Sequence, residues 1–204
     1  MGIAILSGIL SSLHDLSLSK TLLTIPQSGT STPYEEEIPT RLPSTFIACV
    51  RRPESAKKIK SALSAYTSSL TILQSENVKA CQRADIILLG PKPYMVKDIL
   101  SEPGMREALA GKLLISICAG LPVSQIEGIL YPEGYEGAEE KCTVVRAMPN
   151  TASGIRESMT VIATSEPPLP ASTSALITWI FKRIGDVVHL PASNVGFKSN
   201  SLHH

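Results

Sequence analysis

Four stretches of this chain combine residue types and positions suited to ligand chemistry. The first runs Val144-Val145-Arg146-Ala147-Met148-Pro149-Asn150-Thr151. An apolar β-branched pair leads into a proline, which cannot donate to a sheet ladder and holds the residue before it extended, so a strand should stop there. Asn150 and Thr151 then offer short polar side chains at a strand end. The second stretch is Leu89-Gly90-Pro91-Lys92-Pro93, in which two prolines fix a loop and Gly90 lets a ligand approach the backbone. Lys92 reads equally as a ligand contact or a solvent-facing lysine. The third, Ile115-Ser116-Ile117-Cys118-Ala119-Gly120, ends an apolar run in small residues that leave room for a flat ring; a plain strand-to-helix turn is the other reading. The fourth is Arg51-Arg52, after the apolar run Thr45-Phe46-Ile47-Ala48-Cys49-Val50. Positive charge at a helix start opposes the helix dipole, and that mild cost favours phosphate binding over a merely solvated helix start. Loops at the carboxyl ends of parallel strands are where open α/β sheets bind ligands.

No nucleophile, acid–base pair or metal site emerges. Cys49, Cys81, Cys118 and Cys142 form no C-x-x-C pair, and His14, His189, His203 and His204 stand at no ligand spacing from them. Buried free thiols in a reducing compartment are the expectation. Cys118 has no base placed near it and is not a candidate nucleophile. No catalytic residue is nominated.

The elements that must hold these stretches follow from composition and pattern. The chain has 204 residues, enough for one domain with a core, and is 43% hydrophobic with a net charge of +1, which excludes a disordered chain or a polybasic nucleic-acid binder. Aromatics make up only 4%, too few for base-stacking platforms. No apolar run reaches the ~20 residues of a membrane-spanning helix, and the apolar start lacks the basic region and cleavage signal of a leader. Ile3, Leu6, Ile9, Leu10 and Leu13 share a helical face. Residues 17–44, rich in Ser, Thr and Pro around Glu35-Glu36-Glu37, read as a long surface loop whose acidic triplet is a solvated patch. Strands are expected at 45–50, 70–73, 85–90, 112–117, 142–147, 158–164 and 187–190. Residues 85–90 are the clearest buried strand, and Ser75 is the expected cap of the helix after the second strand. Helices fall after 53, at 95–109 with a break at Pro103-Gly104, at 123–130 and around Trp179. This alternation predicts an α/β domain over 1–195 with a mostly parallel sheet flanked by helices.

In their order and spacing, Met1-Gly2, Leu89 to Pro93, Ile115 to Gly120 and Arg146-Ala147-Met148-Pro149-Asn150-Thr151 resemble the nucleotide-binding domain of pyrroline-5-carboxylate reductases. The resemblance implies a Rossmann-like fold and hydride transfer from NAD(P)H to a cyclic imine, giving L-proline in the cytoplasm. It implies cofactor-side roles for Arg51, Arg52, Asn77, Gly90, Pro91, Lys92, Pro93, Cys118, Ala119 and Gly120. The paired arginines, standing where an acidic residue would bind the ribose of NAD, favour NADP. The substrate would be a small imine, with no nucleic acid or membrane partner; the family forms homo-oligomers through a C-terminal helical domain. Residues 196–204 match none of that domain, and Met1-Gly2 matches only the end of the family's Gly-x-Gly-x-Met-Gly turn. The expectation is therefore a cofactor domain lacking its first strand and glycine turn, and an incomplete or inactive reductase. A non-catalytic dinucleotide-binding remnant or interaction module is the alternative. The absent strand would lie between those at 45–50 and 85–90. Strands sit about 4.8 Å apart, so the gap would be roughly 10 Å, closed by collapse or filled by the β-like run at 21–25.

Overall fold

A computed structural model describes residues 1–22, 39–135, 137, 141–164 and 167–191. Apolar runs of four to seven residues become strands: β1 (Phe46–Val50), β2 (Leu70–Gln74), β3 (Ile86–Leu89), β4 (Leu113–Ser116), β5 (Thr143–Met148), β6 (Ser158–Thr164) and β7 (Gly185–Pro191). The helices are α1 (Gly2–Leu22), α2 (Pro53–Ala62), α3 (Asn77–Arg83), α4 (Pro93–Leu100), α5 (Met105–Leu109), α6 (Val123–Leu130) and α7 (Ala171–Lys182). Proline at the first helical position starts α2 and α4, where its missing N–H costs nothing. Gly104, at φ 85°, makes the expected break between α4 and α5.

The strands form two sheets rather than one. β1 and β2 pair in parallel, with Phe46 opposite Leu70 and Val50 opposite Gln74. The larger sheet has the order β3-β4-β5-β6-β7. Its pairs are parallel except β5 with β6, which is antiparallel, with Ala147 opposite Ile162. So, among the described residues, β1 and β3 each keep an unpaired edge and do not pair with one another. Thr21 and Leu22 end α1, and residues 23–25 lie outside those described.

Two helices span the break. Ile5 and Ile9 of α1, with Leu13 and Leu16, pack with α7 over the larger sheet, while Ile3, Leu6 and Leu10 pack on β1, β2 and the buried Ile59 and Leu63. Apolar residues on two stripes bury a helix against two partners. Phe46 packs against both cores. On the opposite face, α3 touches β1, β2 and α5, and its Val78 and Cys81 join the core that contains Leu89, Val96 and Leu114. The Lys112 ammonium donates to the carbonyls of Cys81 (2.6 Å) and Gln82 (3.0 Å), closing the carboxyl end of α3.

Several expectations need correction. Residues 17–22 continue α1 instead of opening a loop, because Leu13 and Leu16 keep the helix packed on the core; residues 23–38, with the acidic triplet, lie outside the described residues, as does the tail at 196–204. Ser75 does not cap α3: it takes a left-handed backbone at φ 54°, and Glu76 occupies the cap position without a side-chain bond. The strand at 86–89 is not fully buried. Only Leu89 is, and Leu88 is 36% exposed, as expected of a strand with one empty edge. A Cβ at Gly90 would come within 3.1 Å of Ile117 Cδ1, so the chain packs closely against Gly90 on that side.

Candidate functional site at the carboxyl ends of the strands

β3 and β4 end side by side. The Ile117 amide donates to the Leu89 carbonyl at 3.0 Å, one step beyond the ladder. The Cys118 thiol then lies 3.5 Å from the Leu89 carbonyl and 3.4 Å from that of Pro91, so it donates to the turn that follows β3. Burial pushes the Cys118 thiol up from its ordinary pKa, partly offset by the Ser116 hydroxyl, which keeps it protonated and a donor. Its role is to tie two loops together. Beyond it Ala119 and Gly120 are exposed, with Gly120 at φ 70°, a left-handed conformation that favours glycine. Across from them Lys92 supplies the extended residue ahead of α4, and its exposed ammonium has no hydrogen-bond or ion-pair partner among the described residues. Gly90, Pro91, Lys92 and Pro93 thus form one shelf with Cys118, Ala119 and Gly120.

Arg51 and Arg52 stand at the end of β1 in the other sheet. Ser75 N–H donates to the Val50 carbonyl at 2.9 Å, extending the β1–β2 ladder, and Gln74 Nε2 reaches the Arg51 carbonyl at 3.5 Å. Arg52 is the extended residue before Pro53. Both side chains are exposed, and among the described residues neither guanidinium has a partner.

Asn77, the first residue of α3, is held by the chain itself. Its Nδ2 donates to Glu102 Oε1 at 2.6 Å, and its Oδ1 accepts from the Cys49 thiol at 3.3 Å. Burial raises the Cys49 pKa, outweighing a backbone hydrogen bond at Glu76, so this thiol too remains a donor. Glu102 and Cys49 were not anticipated, because partners 25 and 28 residues away leave no local signal.

The Met148-Pro149-Asn150 end of β5 behaves as expected. Asn150 Oδ1 accepts from Ala152 N–H at 3.1 Å and caps a 3-10 turn, Thr151–Ile155, while its own N–H donates to Ser158 Oγ at 3.2 Å. Ser153 Oγ lies 3.0 Å from Met1 Sδ, which places the start of α1 beside this turn. Met1 and Gly2 are exposed, and a Cβ on Gly2 would meet nothing within 4 Å, so the first turn of α1 faces open space. All four cysteines are free, three of them buried. Among the described residues no cluster of His, Cys, Asp or Glu could hold a metal, and no helix is long and apolar enough to cross a membrane.

A family model described as NADP oxidoreductase, coenzyme F420-dependent, matches residues 35–120. The structure of a pyrroline carboxylate reductase from Plasmodium falciparum with NADP bound aligns with a TM-score of 0.55 and 19% identity, covering 74% of this chain and 59% of that one. A pyrroline-5-carboxylate reductase from Coxiella burnetii aligns at 0.57 and 22% identity, covering 72% and 57%. At such identities the likeness establishes a shared Rossmann-like fold. A pyrroline-5-carboxylate reductase from Lophium arboricola is 59% identical over 197 residues, and one from Neurospora crassa 50% over 206. These matches take in 96% and 94% of this chain, which spans 59% and 58% of the relatives' own lengths. With identity at that level sustained along nearly its whole length, the chain belongs to the pyrroline-5-carboxylate reductase family.

Proposed function

We propose that the chain forms the dinucleotide-binding part of a reductase that converts 1-pyrroline-5-carboxylate to L-proline, with NADPH preferred over NADH. The carrying observation is the pair of exposed guanidiniums, Arg51 and Arg52, without partners among the described residues. They stand at a strand end where an arginine accommodates the 2′-phosphate of NADP. The fit of a dinucleotide rests on two further features. The open first turn of α1 offers unspent N–H groups to a diphosphate, and the exposed Ala119-Gly120 segment leaves flat space at the end of β4.

The reduced nicotinamide supplies the hydride, and the chain's part is to bind and orient. Arg51 and Arg52 hold the adenosine phosphate. The shelf of Gly90, Pro91, Lys92 and Pro93 against Cys118, Ala119 and Gly120 flanks the nicotinamide end. Asn77, at the start of α3 and fixed by Glu102 and Cys49, completes the cofactor side. Four free cysteines suit a reducing, cytoplasmic setting. A homo-oligomer is part of the same proposal. The unpaired edges of β1 and β3 favour a second reading, a non-catalytic dinucleotide-binding module.

The test is titration of NADPH and NADH into wild type and the Arg51→Ala, Arg52→Ala double variant. A charge-assisted contact is worth ~1.5–3 kcal/mol, so NADPH should weaken about tenfold or more while NADH changes little. Equal loss for both cofactors would remove the basis for NADP preference.

A further inference from the structure

A second set of cations surrounds a cleft that none of the residues above lines. Gly8, Ser12 and Asp15 of α1, Arg156, Lys182, Arg183 and Gly185 line an open cleft of about 250 Å³. Two glycines let its walls approach closely: a Cβ on Gly8 would run into the Arg183 carbonyl, and one on Gly185 into the Ser158 backbone. The cleft begins about 10 Å along α1 from Met1, at 1.5 Å per residue, and none of the shelf residues lines it.

Its cations come from different elements and are arranged differently. Arg183 is braced: Nη1 donates to Ser12 Oγ at 2.9 Å, Nε donates to the Trp179 carbonyl at 3.1 Å, and the guanidinium lies 5.0 Å over the Trp179 ring. Lys182 and Arg183 at the end of α7 would suit that helix dipole without any ligand. Arg156 has no such reason to be there. It closes the 3-10 turn after Asn150 in a left-handed backbone, φ 60°, a conformation unfavourable for an L-residue. Among the described residues the side chains of Arg156 and Lys182 have no hydrogen-bond or ion-pair partner. Asp15 offsets one of the three positive charges, leaving two.

We propose that this cleft binds a small phosphate dianion, inorganic phosphate or a phosphomonoester, between Arg156, Lys182, Arg183 and the Ser12 hydroxyl. Two net positive charges match a dianion, and a braced guanidinium presents a fixed fork to phosphate oxygens. Binding clamps the turn after Asn150 to the end of α7.

The full chain, isotopically labelled, is titrated with inorganic phosphate at constant ionic strength, with chloride as control, and then with glycerol phosphate. The expected result is saturable shifts of the Arg156, Lys182, Arg183 and Gly185 amides by one or both, unchanged by saturating NADPH. The Arg156→Gln, Lys182→Gln variant, altered only at exposed side chains, should bind about tenfold or more weakly. Non-saturating shifts, displacement by NADPH, or equal affinity in the variant would overturn the proposal. Those outcomes are independent of whether NADPH binds at the strand ends.

Discussion

The break between β1 and β3 makes the sharpest stability prediction. The perturbation is an added segment ahead of Met1, a five-residue apolar strand and a glycine turn, long enough to enter the slot beneath α1. β1 offers five residues of free edge and β3 four. About eight ladder bonds at ~0.5–1.5 kcal/mol each would form, and fixing five to eight residues costs ~1–2 kcal/mol apiece, so these two effects nearly cancel. Burial decides the sign. Leu88, now 36% exposed, would regain about a third of a leucine's ~1.5–3 kcal/mol, and each inserted apolar side chain would add ~1.5–3 kcal/mol. The two facing edges are half-buried rather than dry, so their backbone groups bear less than the full cost of orphaned groups. A net gain of a few kcal/mol should raise the urea midpoint by about 1 M or more at a slope of ~1–3 kcal/mol/M. Amide exchange should slow at residues 47–50 and 86–89. Equal midpoint and slope for the two chains, with unchanged exchange there, would show that the slot needs no strand.

Two further predictions concern groups inside the fold. A double-mutant cycle of Asn77→Ala and Glu102→Ala, read by chemical denaturation, should give a coupling of ~1.5–3 kcal/mol for the 2.6 Å charge-assisted bond; additive losses would mean that the contact does not join the two sheets. Cys81 is pushed up to about 11, first by burial and then by neighbouring Cys49, against the lowering effect of Lys112. A thiol raised in the folded state contributes stability below its unfolded pKa and loses it as pH rises, so stability should fall between pH 9 and about 11, by up to ~1.4 kcal/mol per pH unit. Cys81→Ala should flatten that fall, and an unchanged slope would contradict the burial argument.

How far the sequence led can be judged element by element. The apolar runs at β1, β2, β4, β5 and β6, and the helix Val123–Leu130, stood out because their patterns are strong and bounded by Gly, Pro or charge. The order of motifs pointed to the family and to a mostly parallel α/β fold. What escaped depended on distant partners. Residues 17–22 are polar enough to read as loop, yet Leu13 and Leu16 carry α1 onward against the core. The close packing of Ile117 on Gly90, 27 residues earlier, had no local signal. Asn77 looked like a cofactor contact, and the structure shows both ends of its amide engaged with Glu102 and Cys49. The cleft at Arg156, Lys182 and Arg183 had no motif, since its walls come from α1, the 3-10 turn and α7.

The proposed role of this chain is the cofactor half of a pyrroline-5-carboxylate reductase. The most direct measurement exchanges the matched 197-residue stretch of the Lophium arboricola relative for this chain's own, keeping the relative's flanking residues, and follows NADPH oxidation by pyrroline-5-carboxylate. The account predicts substrate-dependent turnover that is lost or weakened at least about tenfold by Arg51→Ala with Arg52→Ala, mainly through the NADPH KM. A folded hybrid that binds no NADPH, or one whose turnover ignores both arginines, would contradict it.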